Sequence, residues 1–237
     1  MKKNKKFVLF PENDSGIHIL RNMLAAFISL FVNGFGVYLT VHASIGSAPW
    51  DVLNLGISHT FGILYGTASI IVSLSVLAVD IVMREPIGIA MIIDAFTVGK
   101  TVDLFNYIDI IPTPHNTVQS IIMTVIGLFI IGYTQYFYMR SALGCGPRDT
   151  LMVGLTRLLK KVPIGLIGII IQSIVTLAGY LLGGPVGIGT IICALCAGPI
   201  MQFAFFSLRR FTSHYEATMI KHQNIIESVK IFKKGMR

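Results

Sequence analysis

The chain has 237 residues, of which 54% are hydrophobic and 13% charged, with a mean hydropathy of +0.74 and a formal net charge of +8. Soluble globular chains carry about 25% charged residues, so this composition excludes an ordinary soluble domain and indicates an integral membrane protein. The three cysteines, Cys145, Cys193 and Cys196, are odd in number and lie in or near apolar segments, which does not indicate a disulfide framework.

Six apolar stretches have about the 20 residues that a membrane-spanning helix needs. Residues 1–18 ahead of them are interpreted as a basic cytoplasmic tail, and residues 209–237 after them as a basic amphipathic cytoplasmic tail. We therefore expect an all-α polytopic membrane protein with six transmembrane helices. The predicted spans are 19–41, 63–83, 87–108, 118–139, 164–182 and 186–208.

Basic residues lie almost entirely on one side of these spans. With the N-terminus placed in the cytoplasm, 18 of the 19 Lys and Arg residues fall in cytoplasmic segments, Lys100 lies within the third span, and the three outer loops hold none. Cytoplasmic loops of membrane proteins are enriched in Lys and Arg, so both termini are predicted to be cytoplasmic. Because the positive charge is explained by topology, we expect no nucleic-acid partner.

Two segments of the sequence, residues 19–109 and 117–208, are similar to each other. At an offset of 98 residues, Phe27–Ile57 aligns with Val125–Leu155 with 10 identities in 31 positions. Each segment holds three predicted spans, and an odd number inverts the second relative to the first. We therefore predict two inverted-topology three-helix repeats, a design in which transporters bind solutes at the repeat interface. Further matches at an offset of 99 are Pro86/Pro185, Gly88/Gly187 and Gly99/Gly198.

A short motif follows the first span of each repeat and opens a segment too short to cross a membrane, Trp50–Thr60 or Arg148–Lys161. Both segments are predicted to be helical. Proline suits the first turn, Ser47 can act as N-cap, and the aspartate of each motif can accept free N–H groups of that turn. The motif residues are Gly46, Pro49, Trp50 and Asp51 in the first repeat, and Gly144, Gly146, Pro147, Arg148 and Asp149 in the second.

Two interpretations of these motif helices stay open at this point. In the first, each helix lies at a membrane surface and the motif only caps it. In the second, each is a re-entrant half-helix whose N-terminus reaches membrane depth, where irregular backbone is tolerated only if protein buries it or it lines a water-filled cavity. Two such ends approaching from opposite faces would flank a solute path. Aquaporins have a comparable plan of six spans and two half-helices, a resemblance of architecture only.

Three charged residues share the third predicted span: Asp94, Lys100 and Asp103. Charges within a membrane are costly and usually face the protein interior. Lys100 and Asp103 are three residues apart and are predicted to form an intramembrane ion pair. Asp94 lies on a different face of the helix without a local partner, which makes it a candidate for binding a solute or a proton.

The motif residues, together with a second set near the last span, resemble those of the YczE/YyaS/YitT-type bacterial membrane proteins, most closely the YczE-like branch. The resemblance covers about residues 21–207 and implies a multi-pass protein of the bacterial cytoplasmic membrane. That family has no settled general activity, so no substrate is implied. The first repeat departs from the pattern, with Ala90 and Met91 at the positions of Gly189 and Thr190. The second set is Gly187, Gly189, Thr190, Gly198 and Pro199.

The inverted repeat favours a small-solute transporter or channel with its path at the repeat interface, using Asp51, Asp94, Arg148 and Asp149. One alternative is an accessory or substrate-binding subunit that supports another transport or export system, and another is a membrane-embedded enzyme. The sequence holds no nucleophile motif, phosphate loop or cluster of metal ligands, so we expect no enzymatic activity, cofactor or metal. The expected partners are the bilayer and an unknown small solute, with a homodimer or a membrane partner protein left open.

Overall fold

The computed structural model describes residues 16–141, 143, 146–159 and 162–208, and every regular element within them is an α-helix. The N-terminal residues 1–15 and the predicted C-terminal tail, 209–237, lie outside the described part. The helices in chain order are α1 (Gly16–His42), α2 (Pro49–Phe61), α3 (Tyr65–Val82), α4 (Ile89–Ile108), α5 (Thr117–Arg140), α6 (Pro147–Leu158), α7 (Ile164–Leu181) and α8 (Ile188–Leu208).

Five of these helices, α1, α3, α5, α7 and α8, are long and apolar enough to cross a membrane. Their ends differ from the predicted spans by three residues or fewer. The remaining predicted span, the third (87–108), corresponds to α4, which has 20 residues but contains the three charged side chains noted above. Large apolar side chains on the outside, such as Ile174 on α7 and Leu195 on α8, are more than 60% exposed. An apolar exterior of this kind fits a lipid environment.

The two short helices, α2 and α6, begin at the prolines of the two motifs, Pro49 and Pro147. The prediction that Ser47 is the N-cap is wrong, because Ala48 holds that position and no side chain caps the helix. A proline at the first helical position has no N–H to satisfy and already has a helical φ angle, so the helix can start without a side-chain cap. Helix α6 ends at Leu158, and the last two residues of its predicted range lie outside the described part.

Helices α1 and α5, the first spans of the two repeats, pack along each other in the most extensive interface among α1 to α7. Their backbones come close together at two glycines, Gly36 and Gly127. A Cβ on Gly36 would lie 2.9 Å from the carbonyl oxygen of Gly127, and a Cβ on Gly127 would lie 2.7 Å from that of Gly36. Small residues let helices approach in this way in membranes. This reciprocal contact joins the two halves of the molecule along their first long helices.

Two further interfaces exchange elements between the two halves. Helix α2 of the first half packs against α7 of the second, and α6 of the second packs against α3 of the first. The loops before the motif helices follow the same plan. The Gly189 N–H donates to the Ile45 carbonyl oxygen at 2.8 Å, and the Ala90 N–H donates to that of Leu143 at 3.3 Å. The start of α8 therefore supports the first motif, and the start of α4 supports the second.

Candidate functional site

The first motif loop enters α2 through a backbone conformation that needs glycine. Gly46 has a φ of 100°, and a Cβ at this position would lie 2.5 Å from the backbone nitrogen of Gly187. Gly187 and Gly189 lie against the backbone of Ile45 and Gly46, while the Gly187 N–H donates to Thr190 Oγ1 at 3.3 Å. Gly187 and Gly189 of the predicted second set therefore support the backbone of the first motif loop.

In the second motif, Gly146 lies against Asp94 of α4. A Cβ on Gly146 would be 2.9 Å from Asp94 Oδ2, so a larger residue would push this carboxylate away from the motif. Gly144, two residues earlier, lies outside the described part. Asp94 occupies the position in the first repeat that Cys193 occupies in the second, at an offset of 99. The second motif loop therefore has a carboxylate beside it, whereas the equivalent position near the first motif loop is a cysteine.

The two motifs meet at Trp50 and Arg148, which are equivalent positions of the two repeats. The Cζ atom of Arg148 lies 5.0 Å from the ring centroid of Trp50, within the range of a cation–π contact. Its Nη1 atom lies 4.0 Å from Asp51 Oδ1. The N-terminal ends of α2 and α6 therefore lie next to each other between the two halves, with one guanidinium group between them.

Arg148 faces three carboxylates, those of Asp51, Asp94 and Asp149, and interacts electrostatically with each of them. Asp51 is 4% exposed, whereas the Arg148 side chain is 31% exposed. All four candidate residues predicted from the sequence thus converge into one group, called here the central charge cluster. Its formal charge is −2 if every carboxylate is ionised. Among the described residues no three possible ligands could hold a metal ion together.

Neutral polar side chains that the sequence analysis missed orient two of these carboxylates. The Tyr65 hydroxyl donates to Asp51 Oδ1 at 2.8 Å and accepts from Asn54 Nδ2 at 3.4 Å. Gln135 Nε2 donates to Asp149 Oδ2 at 3.0 Å. Gln135 lies near the C-terminal end of an apolar predicted span, and a polar side chain within such a span is a signal that would have pointed to it. Side chains of α3 and α5 therefore orient the two aspartates, and their predicted role in accepting free N–H groups of their own helices stays a prediction.

The other predicted site residues lie away from this cluster. Lys100 Nζ is 3.9 Å from Asp103 Oδ2, and Asp103 Oδ1 accepts from the Gly66 N–H at 2.7 Å. This aspartate therefore joins α4 to the start of α3. Gly198 and Pro199 are exposed on α8, and a Cβ on Gly198 would have no neighbour within 4 Å. The structure brings neither of these two residues into a contact that suggests binding.

The fold and the site together define a helical integral membrane protein with a charge cluster between its two halves. The chain belongs to the family of unknown function DUF6198, which it matches over residues 20–205. It is 30% identical to the uncharacterized membrane protein YczE of Bacillus subtilis (strain 168) over 184 residues, which are 75% of this chain and 82% of that protein. An uncharacterized protein of Haemophilus influenzae is 30% identical over 175 residues, 74% and 79% of the two chains.

A third relative, the uncharacterized protein YyaS of Bacillus subtilis (strain 168), is 26% identical over 191 residues, 78% of this chain and 94% of that one. No solved structure is significantly similar to the chain. The resemblance to the YczE-like proteins drawn from the motifs is confirmed, and the YitT part of it stays a prediction. The names of these relatives give a membrane location for one of them and no activity for any of the three.

Proposed function

We propose that the protein is a small-solute transporter or channel in the bacterial cytoplasmic membrane, with its path at the interface of two inverted repeats and both termini in the cytoplasm. The observation that carries this proposal is the contact between the two motif helices at Trp50 and Arg148. Transporters with inverted repeats bind solutes where interrupted or short helices of the two repeats meet. The central charge cluster is the proposed binding site, and no catalytic step is part of the proposal.

The proposal requires α4 to cross the membrane as well, in addition to the five apolar helices and despite its three charged residues. An uncompensated charge costs about 2.5–3.5 kcal/mol at the centre of a membrane helix. In this chain Lys100 lies beside Asp103, and Asp94 faces Arg148. Because each of these charges has a charge of opposite sign nearby, α4 can cross the membrane. Three spans in each half then invert the second repeat, in agreement with the basic residues on one side.

In such an inverted arrangement, the first motif follows a span that ends outside and the second follows a span that ends inside. If both motif helices lay at the membrane surfaces, about 30 Å of hydrocarbon would separate them. The 5.0 Å between the Arg148 Cζ atom and the Trp50 ring therefore favours two re-entrant half-helices that meet within the membrane. Partial exposure of the Arg148 side chain supports access of water to this point.

Cysteine accessibility tests the path. In a background without Cys145, Cys193 and Cys196, we expect Ala48→Cys, at the start of α2, to react with a small charged thiol reagent added to cells or inverted vesicles. Ala48 is partly exposed next to the motif. Two further Ala→Cys variants are matched controls and should not react: Ala26→Cys, which is fully buried, and Ala197→Cys, which faces the bilayer midway along α8. An Ala48→Cys variant as unreactive as both controls would contradict a water-filled path.

Flux measurements test the site. Wild-type protein in proteoliposomes is presented with a panel of alkali cations, ammonium compounds, amino acids, carboxylates and sugars. For any solute it moves, we expect Asp51→Asn and Asp149→Asn to lower the flux at least about tenfold, roughly the effect of losing 1.4 kcal/mol of stabilisation. Asp109→Asn is the control, because this exposed residue ends α4 in a left-handed conformation that asparagine also adopts. Equal flux in all variants would remove the cluster from the path.

A further inference from the structure

Asp80 lies in the last turn of α3 and is an acidic residue outside the central charge cluster. Its side chain is fully buried, with an exposed fraction of 0%. Both carboxyl oxygens, Oδ1 and Oδ2, are without a hydrogen-bond partner in the part of the chain that the structure describes. Buried carboxylates normally accept hydrogen bonds or face a cation, so Asp80 lacks the contacts that would stabilise a negative charge.

The surroundings of Asp80 make a negative charge there still less favourable. The side chain of Glu85, in the turn after α3, is 4% exposed, and its carboxylate interacts electrostatically with Asp80. This turn keeps the two residues together, because the Glu85 N–H donates to the Asp80 carbonyl oxygen at 3.0 Å. The C-terminal end of a helix also carries a partial negative charge. Two carboxyl groups and a helix end of the same sign therefore meet in one buried place.

The guanidinium group nearest to this place is already paired. Arg157 of α6 has its Nη1 atom 2.9 Å from Glu85 Oε1, and its side chain is 49% exposed. Gly154, about one turn earlier on α6, lets this helix come close, since a Cβ there would lie 3.0 Å from Glu85 Cγ. Arg157 thus offsets the charge of Glu85 and joins α6 to the end of α3. The carboxyl group of Asp80 is left without a cation.

The other charged groups on the helices around α3 do not compensate Asp80. Helix α3 packs against α2, α4 and α6. Within the described residues, Glu85 is the one charged group that acts on Asp80. His59 Nδ1 on α2 lies 3.3 Å from the Gly183 carbonyl oxygen, and Arg84 in the turn is exposed. The charged residues that interact with one another elsewhere on these three helices are Asp51, Asp94, Lys100, Asp103, Arg148 and Asp149.

We propose that Asp80 is a proton-binding site, and that its carboxyl group is the neutral acid in the folded protein, beside the Glu85–Arg157 ion pair. A neutral acid is much less costly to bury than a carboxylate without a cation. Release of the proton to water breaks the O–H bond of Asp80 and leaves two carboxylates with one guanidinium. Their repulsion loosens the contact between α3 and α6, and α6 begins at the second motif. The site does not depend on whether the protein moves a solute.

The pH dependence of thermal unfolding tests the site in the purified protein. The folded state holds one proton more than the unfolded chain, so wild-type stability falls as the pH rises. The ratio of folded to unfolded protein drops about tenfold for each pH unit over which only the folded state keeps this proton. Asp80→Asn resembles the neutral acid in shape and has no proton to release. It should lack this part of the pH dependence and should unfold at a higher temperature than wild type at alkaline pH.

Asp103→Asn is the matched control, because Asp103 is another largely buried aspartate in contact with α3. Unlike Asp80 it has partners, since it accepts from the Gly66 N–H at 2.7 Å and lies 3.9 Å from Lys100 Nζ. This variant should unfold at a lower temperature than wild type at neutral and alkaline pH, while its stability still falls with rising pH. The same pH dependence of unfolding in wild type and Asp80→Asn would overturn the proton-binding site.

Infrared spectroscopy detects the bound proton directly. In mildly acidic buffer we expect wild-type protein to show a C=O band of a protonated carboxylic acid that is absent from Asp80→Asn and present in Asp103→Asn. Equal bands in wild type and Asp80→Asn would contradict the proposal. If Asp80→Asn does not fold, Asp80→Leu gives a second route, because leucine has a similar shape and no polar atom that needs a partner. Failure of both variants to fold would show that the charge of Asp80 is required, which would also overturn the site.

Discussion

Replacing Arg148 with glutamine is expected to lower the free energy of unfolding by about 3 kcal/mol, because removing one member of a largely buried charge network leaves its partners uncompensated. Glutamine retains much of the length of arginine but carries no charge. Asp51, Asp94 and Asp149 would then face one another without a cation, and the contact with Trp50 would be lost. Thermal unfolding of the purified variant measures the loss, and any flux through the protein should stop.

Double variants that also neutralise one carboxylate separate the effect of the lost charge from a simple loss of packing. Adding Asp51→Asn or Asp94→Asn to Arg148→Gln removes part of the excess negative charge, so the double variants should unfold at a higher temperature than Arg148→Gln alone. Flux should not return in the double variants, because the site would still lack its guanidinium. The exposed Arg84→Gln variant serves as the control. If Arg148→Gln unfolds at the wild-type temperature, the guanidinium does not stabilise the cluster.

Replacing Gly179 with alanine should give the other large effect. A Cβ on this residue of α7 would lie 2.5 Å from the backbone nitrogen of Leu53 and 2.6 Å from its Cα atom. Gly56 faces the Gly179 carbonyl oxygen at the same crossing, so neither backbone can yield without moving α2. Overpacking of this kind costs about 1–3 kcal/mol, and more where only backbone can move. We therefore expect a clearly lower unfolding temperature and a displaced first motif.

The same helix offers the matched control for that variant. Gly165 lies in the first turn of α7, and a Cβ there would have no neighbour within 4 Å. Gly165→Ala should leave stability unchanged or raise it by about 0.5–1 kcal/mol, the usual gain when alanine replaces glycine in a helix. The two variants differ only in what surrounds the added methyl group. Equal unfolding temperatures would mean that α2 and α7 are not in backbone contact.

The helices could be predicted from the sequence because length and apolar content define a span almost independently of its neighbours. The internal repeat likewise identified the two motifs, which supply Asp51, Arg148 and Asp149, and its charge within an apolar span identified Asp94. How the motif helices of the two halves pack against each other could not be predicted from the sequence. The contact between Trp50 and Arg148 results from packing between the two halves, for which an alignment of the halves carries no signal.

The hydrogen-bond partners of the motif aspartates likewise could not be predicted from the sequence. An aspartate in the first turn of a helix usually accepts its free N–H groups. In this protein Asp51 accepts from Tyr65, which lies on the next helix, and Asp149 accepts from Gln135, which lies on the preceding one. In this buried site, the aspartates have hydrogen-bonding and ionic partners on other helices, which the sequence around each motif does not indicate. Neutral polar residues such as Tyr65 and Asn54 gave no sequence signal, because similar residues are common in loops and helix ends.

The first motif loop is supported by a residue of the second half, so this contact can form only late in synthesis. The Ile45 carbonyl oxygen, ahead of the first motif, accepts from Gly189 at the beginning of α8, the last helix described. Nearly 150 residues must therefore be made after this carbonyl group before its partner exists. Until then this carbonyl oxygen accepts from water or another donor in place of Gly189. The nascent first half therefore lacks this support for its motif loop until α8 has been made.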